Sequence, residues 1–206
     1  MIRILGRATS GNVQKVLFFL EEAGVAYERE DYGKQFENTR TAEYLEMNPT
    51  AKVPTLLDGD LVMWESNTIL RYLAAVHALD MQGKSPADRT QVERWMDFLL
   101  AAVNPGYLAA FKGSKLAVAE RPADFAAQVA DLGSQLAILD GHLRGKSFLA
   151  LERLTIADIA LAPIVRRCMD FDIDRPALPE LQRWVDTISS RPAFKRATGV
   201  VTGSAR

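Results

Sequence analysis

The sequence predicts two domains of different class: a small α/β domain first, then an all-α helical bundle. Three observations predict this. Strand and helix signals alternate through the first third of the chain. A hairpin signal follows within that third. After His77 the strand signals stop, and long apolar stripes at helical spacing replace them.

The elements can be taken in order. Ile2 to Gly6 is short, apolar and closed by a glycine, which suits a buried strand. Between Asn12 and Ala23, Val13, Val16, Leu17 and Leu20 form an apolar stripe, and Gly24 follows as a helix stop. Tyr27 to Asp31 reads as a second strand, so the start is a βαβ unit with a parallel pair. Residues 41–47 read as a short helix. Val53 to Leu57, the turn Asp58-Gly59-Asp60, and Leu61 to Met63 read as a hairpin. Ser66 then suits the cap of a helix carrying Ile69, Leu70, Leu73 and Val76. The α/β domain is expected over residues 1–78.

Residues 79–86 carry Asp80, Gly83, Lys84, Ser85 and Pro86, and read as a linker. The helical domain is expected over 87–206. A long helix over 88–111 must be kinked or interrupted by Asn104-Pro105-Gly106. Phe125, Val129, Leu132, Leu136, Leu139 and Leu143 step by 4, 3, 4, 3 and 4, one stripe on a helix running from near Pro122 to before Gly145. Thr155 to Met169 and Pro179 to Ser190 supply two more helices. Thr155-Ile156-Ala157-Asp158 reads as a capping box, a structural feature rather than a catalytic one.

Composition narrows the chemistry. The 206 residues carry a net charge of -1, so no global basic field draws in nucleic acid or an anionic membrane. No apolar run is long enough to span a bilayer, and no leader pattern is present, so a cytoplasmic location is expected. Cys168 is the sole cysteine, which excludes an intrachain disulfide and a CxxC redox pair; a buried filler is its expected role. His77 and His142 have no ligand-type neighbours at metal-binding spacing, so no metal is expected.

A βαβ unit and a ββα unit joined through Val53-Pro54 have the layout of a thioredoxin-like domain. Two segments are more specific: Asn48-Pro49-Thr50-Ala51-Lys52-Val53-Pro54-Thr55-Leu56, and Trp64-Glu65-Ser66-Asn67-Thr68-Ile69-Leu70-Arg71-Tyr72-Leu73. With a helical half behind them, the chain resembles the cytosolic glutathione transferases over nearly its whole length, in a bacterial, serine-type, theta- or nu-like form. The resemblance implies glutathione as co-substrate, a small hydrophobic electrophile, a C2 homodimer and a role in detoxification.

Residue chemistry agrees with that resemblance. The γ-glutamyl end of glutathione carries an ammonium and a carboxylate on one carbon. Glu65 can pair with the ammonium, while the Ser66 hydroxyl and the free N–H groups of a helix start can hold the carboxylate. Ser66 equally suits a plain capping role. In the family the proline of Val53-Pro54 is cis, and Val53 turns its backbone N–H and C=O toward the cysteinyl part; from the residues alone a trans proline opening a strand is also allowed. Lys52 lies where the family often contacts the glycine carboxylate, and a solvated lysine is the competing reading.

The loop Ala8-Thr9-Ser10-Gly11-Asn12 opens the first helix and bears the hydroxyls that could face the sulfur. A free thiol has a pKa of roughly 8.5, so at neutral pH it needs stabilisation to be a thiolate. Ser10 is the expected donor, resembling the serine of serine-type classes; Asn12 is the helper or alternative, and Thr9 comes third. No tyrosine or cysteine occurs between residues 4 and 14, which disfavours the tyrosine- and cysteine-type chemistries. Tyr107, Phe111, Arg166 and Phe171 are candidates for the electrophile pocket, and core packing is their competing role. Arg94 and Asp97 fall where the family's dimer interface often forms. Two other functions fit the same residues: glutathione-dependent reduction of disulfides or peroxides without a protein cysteine, and a binding module that has lost catalysis.

Overall fold

The computed structural model describes residues 1–199; residues 200–206, the end of the expected helical domain, lie outside the described residues. In chain order the elements are β1 (Ile2–Leu5), α1 (Gly11–Ala23), β2 (Tyr27–Glu30), α2 (Ala42–Met47), β3 (Thr55–Asp58), β4 (Leu61–Trp64), α3 (Ser66–His77), α4 (Leu79–Gln82), α5 (Pro86–Phe98), a π-helical turn (Leu99–Val103), α6 (Asn104–Gly113), α7 (Phe125–His142), α8 (Ile156–Asp170), α9 (Pro179–Ser190) and α10 (Pro192–Thr198). They divide into two compact units: Met1–Gln82 with residues 189–199, and Gly83–Ile188.

The first unit is a four-stranded mixed sheet in the order β2-β1-β3-β4. β1 and β2 are parallel, with Ile2 opposite Tyr27; β1 and β3 are antiparallel, with Ile4 opposite Leu56; β4 closes the hairpin. This is the thioredoxin-like layout that the βαβ and ββα signals predict. Ile2, Ile4 and Leu56 bury against helices, and α1 is buried from Val13 through Leu20. A helix buried all round needs cover on more than one side. α10 provides part of it: the Phe194 ring meets the Phe18 ring edge-on at 5.2 Å, and Arg191 and Arg196 pair with Glu22 and Glu21.

Two details differ from the sequence reading. Ser66 is not the cap of α3. The Glu65 carbonyl accepts the first helical bond, from Ile69 N–H at 2.9 Å, so Glu65 is the N-cap and Ser66 enters the first turn. Within the stretch read as a linker, residues 79–82 form the short helix α4.

In the second unit every described regular element is helical. α5 opens with a capping box in which Ser85 Oγ accepts from Asp88 N–H at 3.0 Å and Asp88 accepts from Ser85 N–H at 3.3 Å. The interruption expected at Asn104-Pro105-Gly106 is a π turn placed just before it. There Asn104 N–H reaches back five residues to Leu99 O, a wider ladder that accommodates a proline with no N–H to donate. Gly106 lets α6 approach α7: a Cβ there would lie 2.7 Å from Leu132 Cβ. α8 starts at Thr155, and the expected box is present, with Thr155 N–H donating to Asp158 at 3.0 Å. Cys168 is fully buried in α8, and burial pushes its thiol up to about 12.

Candidate functional site

The residues expected to contact glutathione lie in the first unit, in three loops that each lead into a helix or strand. The first is the β1–α1 loop. Gly6 sits so tightly that a Cβ would come within 2.5 Å of Val13 Cγ2 and 3.3 Å of Val53 Cβ, so it draws α1 and the Val53 loop toward the end of β1. Gln14 Nε2–H donates to Ala8 O at 2.8 Å and ties the loop back onto the helix. Ser10 is the N-cap of α1 and is 8% exposed. Its backbone is held at both ends, by Ser10 N–H to Arg7 O at 3.1 Å and Gln14 N–H to Ser10 O at 2.9 Å. Its side chain makes no capping bond. A serine at this position usually spends its oxygen on the first-turn N–H groups. Here the hydroxyl and those N–H groups remain to meet something else. Asn12 is half-buried in the same turn, and Thr9 is exposed.

The second is the loop before β3. The Val53-Pro54 bond is cis. Val53 N–H and C=O enter no hydrogen bond among the described residues. The loop is held from beneath instead. Tyr44 O–H and Asn48 Nδ2–H both donate to Lys52 O, at 2.6 and 2.9 Å, and Asn48 Oδ1 accepts from Thr50 N–H and Thr50 Oγ1 at 3.1 and 2.6 Å. Asn48 is 1% exposed, while the Lys52 side chain is exposed. Tyr44 and Asn48 were not singled out as site residues. The specific Asn48-to-Leu56 segment contains Asn48, but nothing in it says that the asparagine points inward.

The third leads into the start of α3. Glu65 has φ 71° and ψ 108°, a conformation that side-chain-bearing residues rarely adopt. Such strain costs of order 1–3 kcal/mol and concentrates at functional sites. Glu65 is exposed at the helix start, and Ser66 beside it is 4% exposed. The open N–H groups and positive dipole end of α3 favour an anion there.

One buried cation belongs to the same unit. Lys15 on α1 has no exposed surface, and burial pushes its ammonium down to about 7, opposed by the Glu65 carboxylate. The signal for it was available: the run from Val13 to Leu20 is apolar apart from Gln14 and Lys15, so neither has a solvent face to occupy.

The electrophile candidates lie in the second unit. Tyr107 stacks between Phe111 and Phe171, at 6.0 Å to each ring. Arg166 faces Asp170 at 4.0 Å; it is its neighbour Arg167 that donates to Tyr107 Oη, at 3.3 Å. Arg94 is exposed at the rim of a cavity of about 330 Å³ shared with His142 and Lys146, and Asp97 is exposed on the same helix.

A four-stranded thioredoxin-like unit with a cis-proline loop, followed by a helical unit, sets the fold class. Comparison with known proteins gives the family. Residues 4–75 match the glutathione S-transferase N-terminal domain, and residues 93–192 match the glutathione S-transferase C-terminal domain. The chain belongs to the glutathione S-transferase family. It is 34% identical over 205 residues to glutathione S-transferase GstB of Escherichia coli K12, covering 95% of this chain and 97% of that one. It is 31% identical over 202 residues to elongation factor 1-gamma of Prunus avium, covering 94% of this chain but 47% of that one. It also superimposes on the theta-class glutathione S-transferase of Xanthomonas axonopodis pv. citri with glutathione bound, at a TM-score of 0.90 and 38% identity, covering 98% and 99% of the two chains. Among the described residues no helix is long and apolar enough to cross a membrane.

Proposed function

We propose that this protein is a glutathione transferase in which Ser10 donates its hydroxyl to the sulfur of bound glutathione and holds it as a thiolate. The proposal rests above all on Ser10 itself: an almost buried N-cap serine whose side chain does no capping. A donated O–H bond and the N-terminal end of α1 act together on a negative sulfur. One unit of lowered thiol pKa corresponds to about 1.4 kcal/mol of anion stabilisation. Asn12 assists from the same turn. Glu65 pairs with the γ-glutamyl ammonium, and Ser66 with the first-turn N–H groups of α3 takes the carboxylate. Val53 offers its unengaged backbone N–H and C=O to the cysteinyl part, and Lys52 reaches the glycine carboxylate.

The thiolate then attacks a small hydrophobic electrophile. A sulfur–carbon bond forms, the leaving group departs with its electron pair, and the enzyme forms no covalent bond to either partner. The Tyr107, Phe111 and Phe171 stack, with Arg166 on α8, is the surface we assign to the electrophile. We place the protein in the cytoplasm as a C2 homodimer with a detoxifying role. β4 is an edge strand with Leu61, Val62 and Trp64 exposed, an apolar edge that a second copy would cover.

Ser10→Ala tests the assignment through a pH–rate profile with a model aryl halide. The kinetic pKa should rise and kcat should fall by roughly 10- to 100-fold, with the KM for glutathione little changed. If neither moves, Ser10 has no part in ionisation and Asn12 inherits it. A parallel assay of disulfide reduction by glutathione separates conjugation from reduction. Failure of the purified protein to bind glutathione would instead favour a non-catalytic module.

A further inference from the structure

The glutathione site leaves one buried titratable group without a task. Lys15 has no exposed surface, and its Nζ makes no hydrogen bond among the described residues. An ammonium buried without a partner is costly, so such a group either gives up its proton or is balanced by an anion at the site. Helix geometry and the packing of α3 on α1 locate the group. Side chains on a helix lean back toward its N-terminus, so the arm of Lys15 runs toward the turn that begins at Ser10. α3 packs on α1, and while burial lowers the Lys15 ammonium, the Glu65 carboxylate at the N-cap of α3 acts to raise it.

The other charged groups on elements packed against α1 are those of β1, α10 and α3. Arg3 of β1 pairs with Glu30. Arg191 and Arg196 hold Glu22 and Glu21 at the opposite end of α1, and Lys195 follows on α10. On α3, Arg71, Tyr72 and His77 lie further along the helix, with Tyr72 O–H donating to Asp58 on β3 at 2.9 Å.

We propose that Lys15 is a positioning residue of the glutathione site: its buried ammonium steadies the Glu65 carboxylate from behind and supplies positive charge to the end of α1 where the thiolate forms. This rests on the glutathione assignment above. The two ionisations reinforce one another. A thiolate above α1 makes the ammonium easier to retain, and the ammonium makes the thiolate easier to form.

The ultraviolet band of bound thiolate, titrated against pH, reads the effect. In Lys15→Met the apparent pKa of bound glutathione should rise by about half a unit to one unit, which is roughly three- to tenfold less thiolate at pH 6. Lys15→Arg, which keeps the charge, should stay near wild type. Calorimetry with S-methylglutathione, which has no thiol to ionise, separates the two levels of argument. An unshifted thiol in a Lys15→Met protein that still binds S-methylglutathione overturns the role of Lys15 and leaves the glutathione assignment intact. No heat from wild type with either ligand overturns both. A measurement on wild type does not depend on the variants folding: with ¹³C-labelled lysine ε-carbons, the Lys15 signal should titrate at higher pH once glutathione is added. An unmoved titration overturns the proposal.

Discussion

Replacing Asp158 with alanine tests the helical unit at its most connected polar group. Asp158 is fully buried and accepts four hydrogen bonds: Leu149 N–H at 2.9 Å and Trp184 Nε1–H at 3.0 Å on one oxygen, and Thr155 N–H at 3.0 Å and Thr155 O–H at 3.1 Å on the other. Alanine strands three N–H donors, each of which costs roughly 1–3 kcal/mol when buried unpaired, about 6 kcal/mol together. Something offsets this. Desolvation pushes the Asp158 carboxyl up from 3.8 to about 6 despite its four partners. Holding it ionised at pH 7 therefore costs about 3 kcal/mol, which alanine escapes. The expected net loss is about 3 kcal/mol at pH 7. The pH dependence carries a definite sign. Between about 4 and 6 the folded state holds more protons than the unfolded one, so this group adds stability as pH falls. Wild type should gain about 1 kcal/mol from it between pH 7 and pH 5, and the gap to Asp158→Ala should widen to about 4 kcal/mol. Asp158→Asn keeps an acceptor for Leu149 and Trp184 but can set an amide donor against Thr155 N–H, so about 1–2 kcal/mol is expected. Urea unfolding followed by circular dichroism at both pH values measures all three proteins. An alanine variant within 1 kcal/mol of wild type, or a gap that narrows on acidification, would refute the reasoning.

Glu65→Gly and Glu65→Ala both remove the carboxylate, and each should weaken glutathione binding at least tenfold by calorimetry. Only alanine retains the strain of φ 71°, so it should be about 1 kcal/mol the less stable of the two in a urea titration. Gly6→Ala should cost about 2 kcal/mol, because its Cβ would meet Val13 and Val53; Gly141→Ala, with nothing within 4 Å, should instead raise Tm as helix propensity improves. Cys168, buried with its thiol pushed up to about 12, should be silent to a thiol-disulfide reagent at pH 8 in the native protein and titrate as one thiol per chain in denaturant.

Much of the fold was legible because its signals are local. The βαβ start, the hairpin and the stripe from Phe125 to Leu143 each lie within one window of sequence. Thr155 and Asp158 declared their box through spacing alone. What escaped was set by tertiary packing. α10 has seven residues and too short a pattern to stand as a helix by itself; it forms because Phe194 has Phe18 to meet. Glu65, not Ser66, ends the strand-to-helix turn, since a positive φ at a glutamate has no signature in residue type. In the helical unit, the arginine that meets Tyr107 is Arg167 rather than Arg166, a difference of one helical step that only packing decides. In the candidate site, Ser10, Asn12, Val53, Glu65 and Ser66 could be named from motif and chemistry. Tyr44 and Asn48 could not, because nothing in their residue type announces that they face inward; Lys15 was marked only by the apolar run around it.

The α1–α10 contact bears on how the chain is made. Phe18 emerges from the ribosome well before Phe194, which is separated from it by the whole helical unit. Until α10 has been translated, α1 carries an uncovered aromatic face and two glutamates awaiting their arginines. The sheet-bearing unit is thus completed only after the helical unit has been made, and a chain stopped at residue 188 would leave that face open to chaperones and to aggregation.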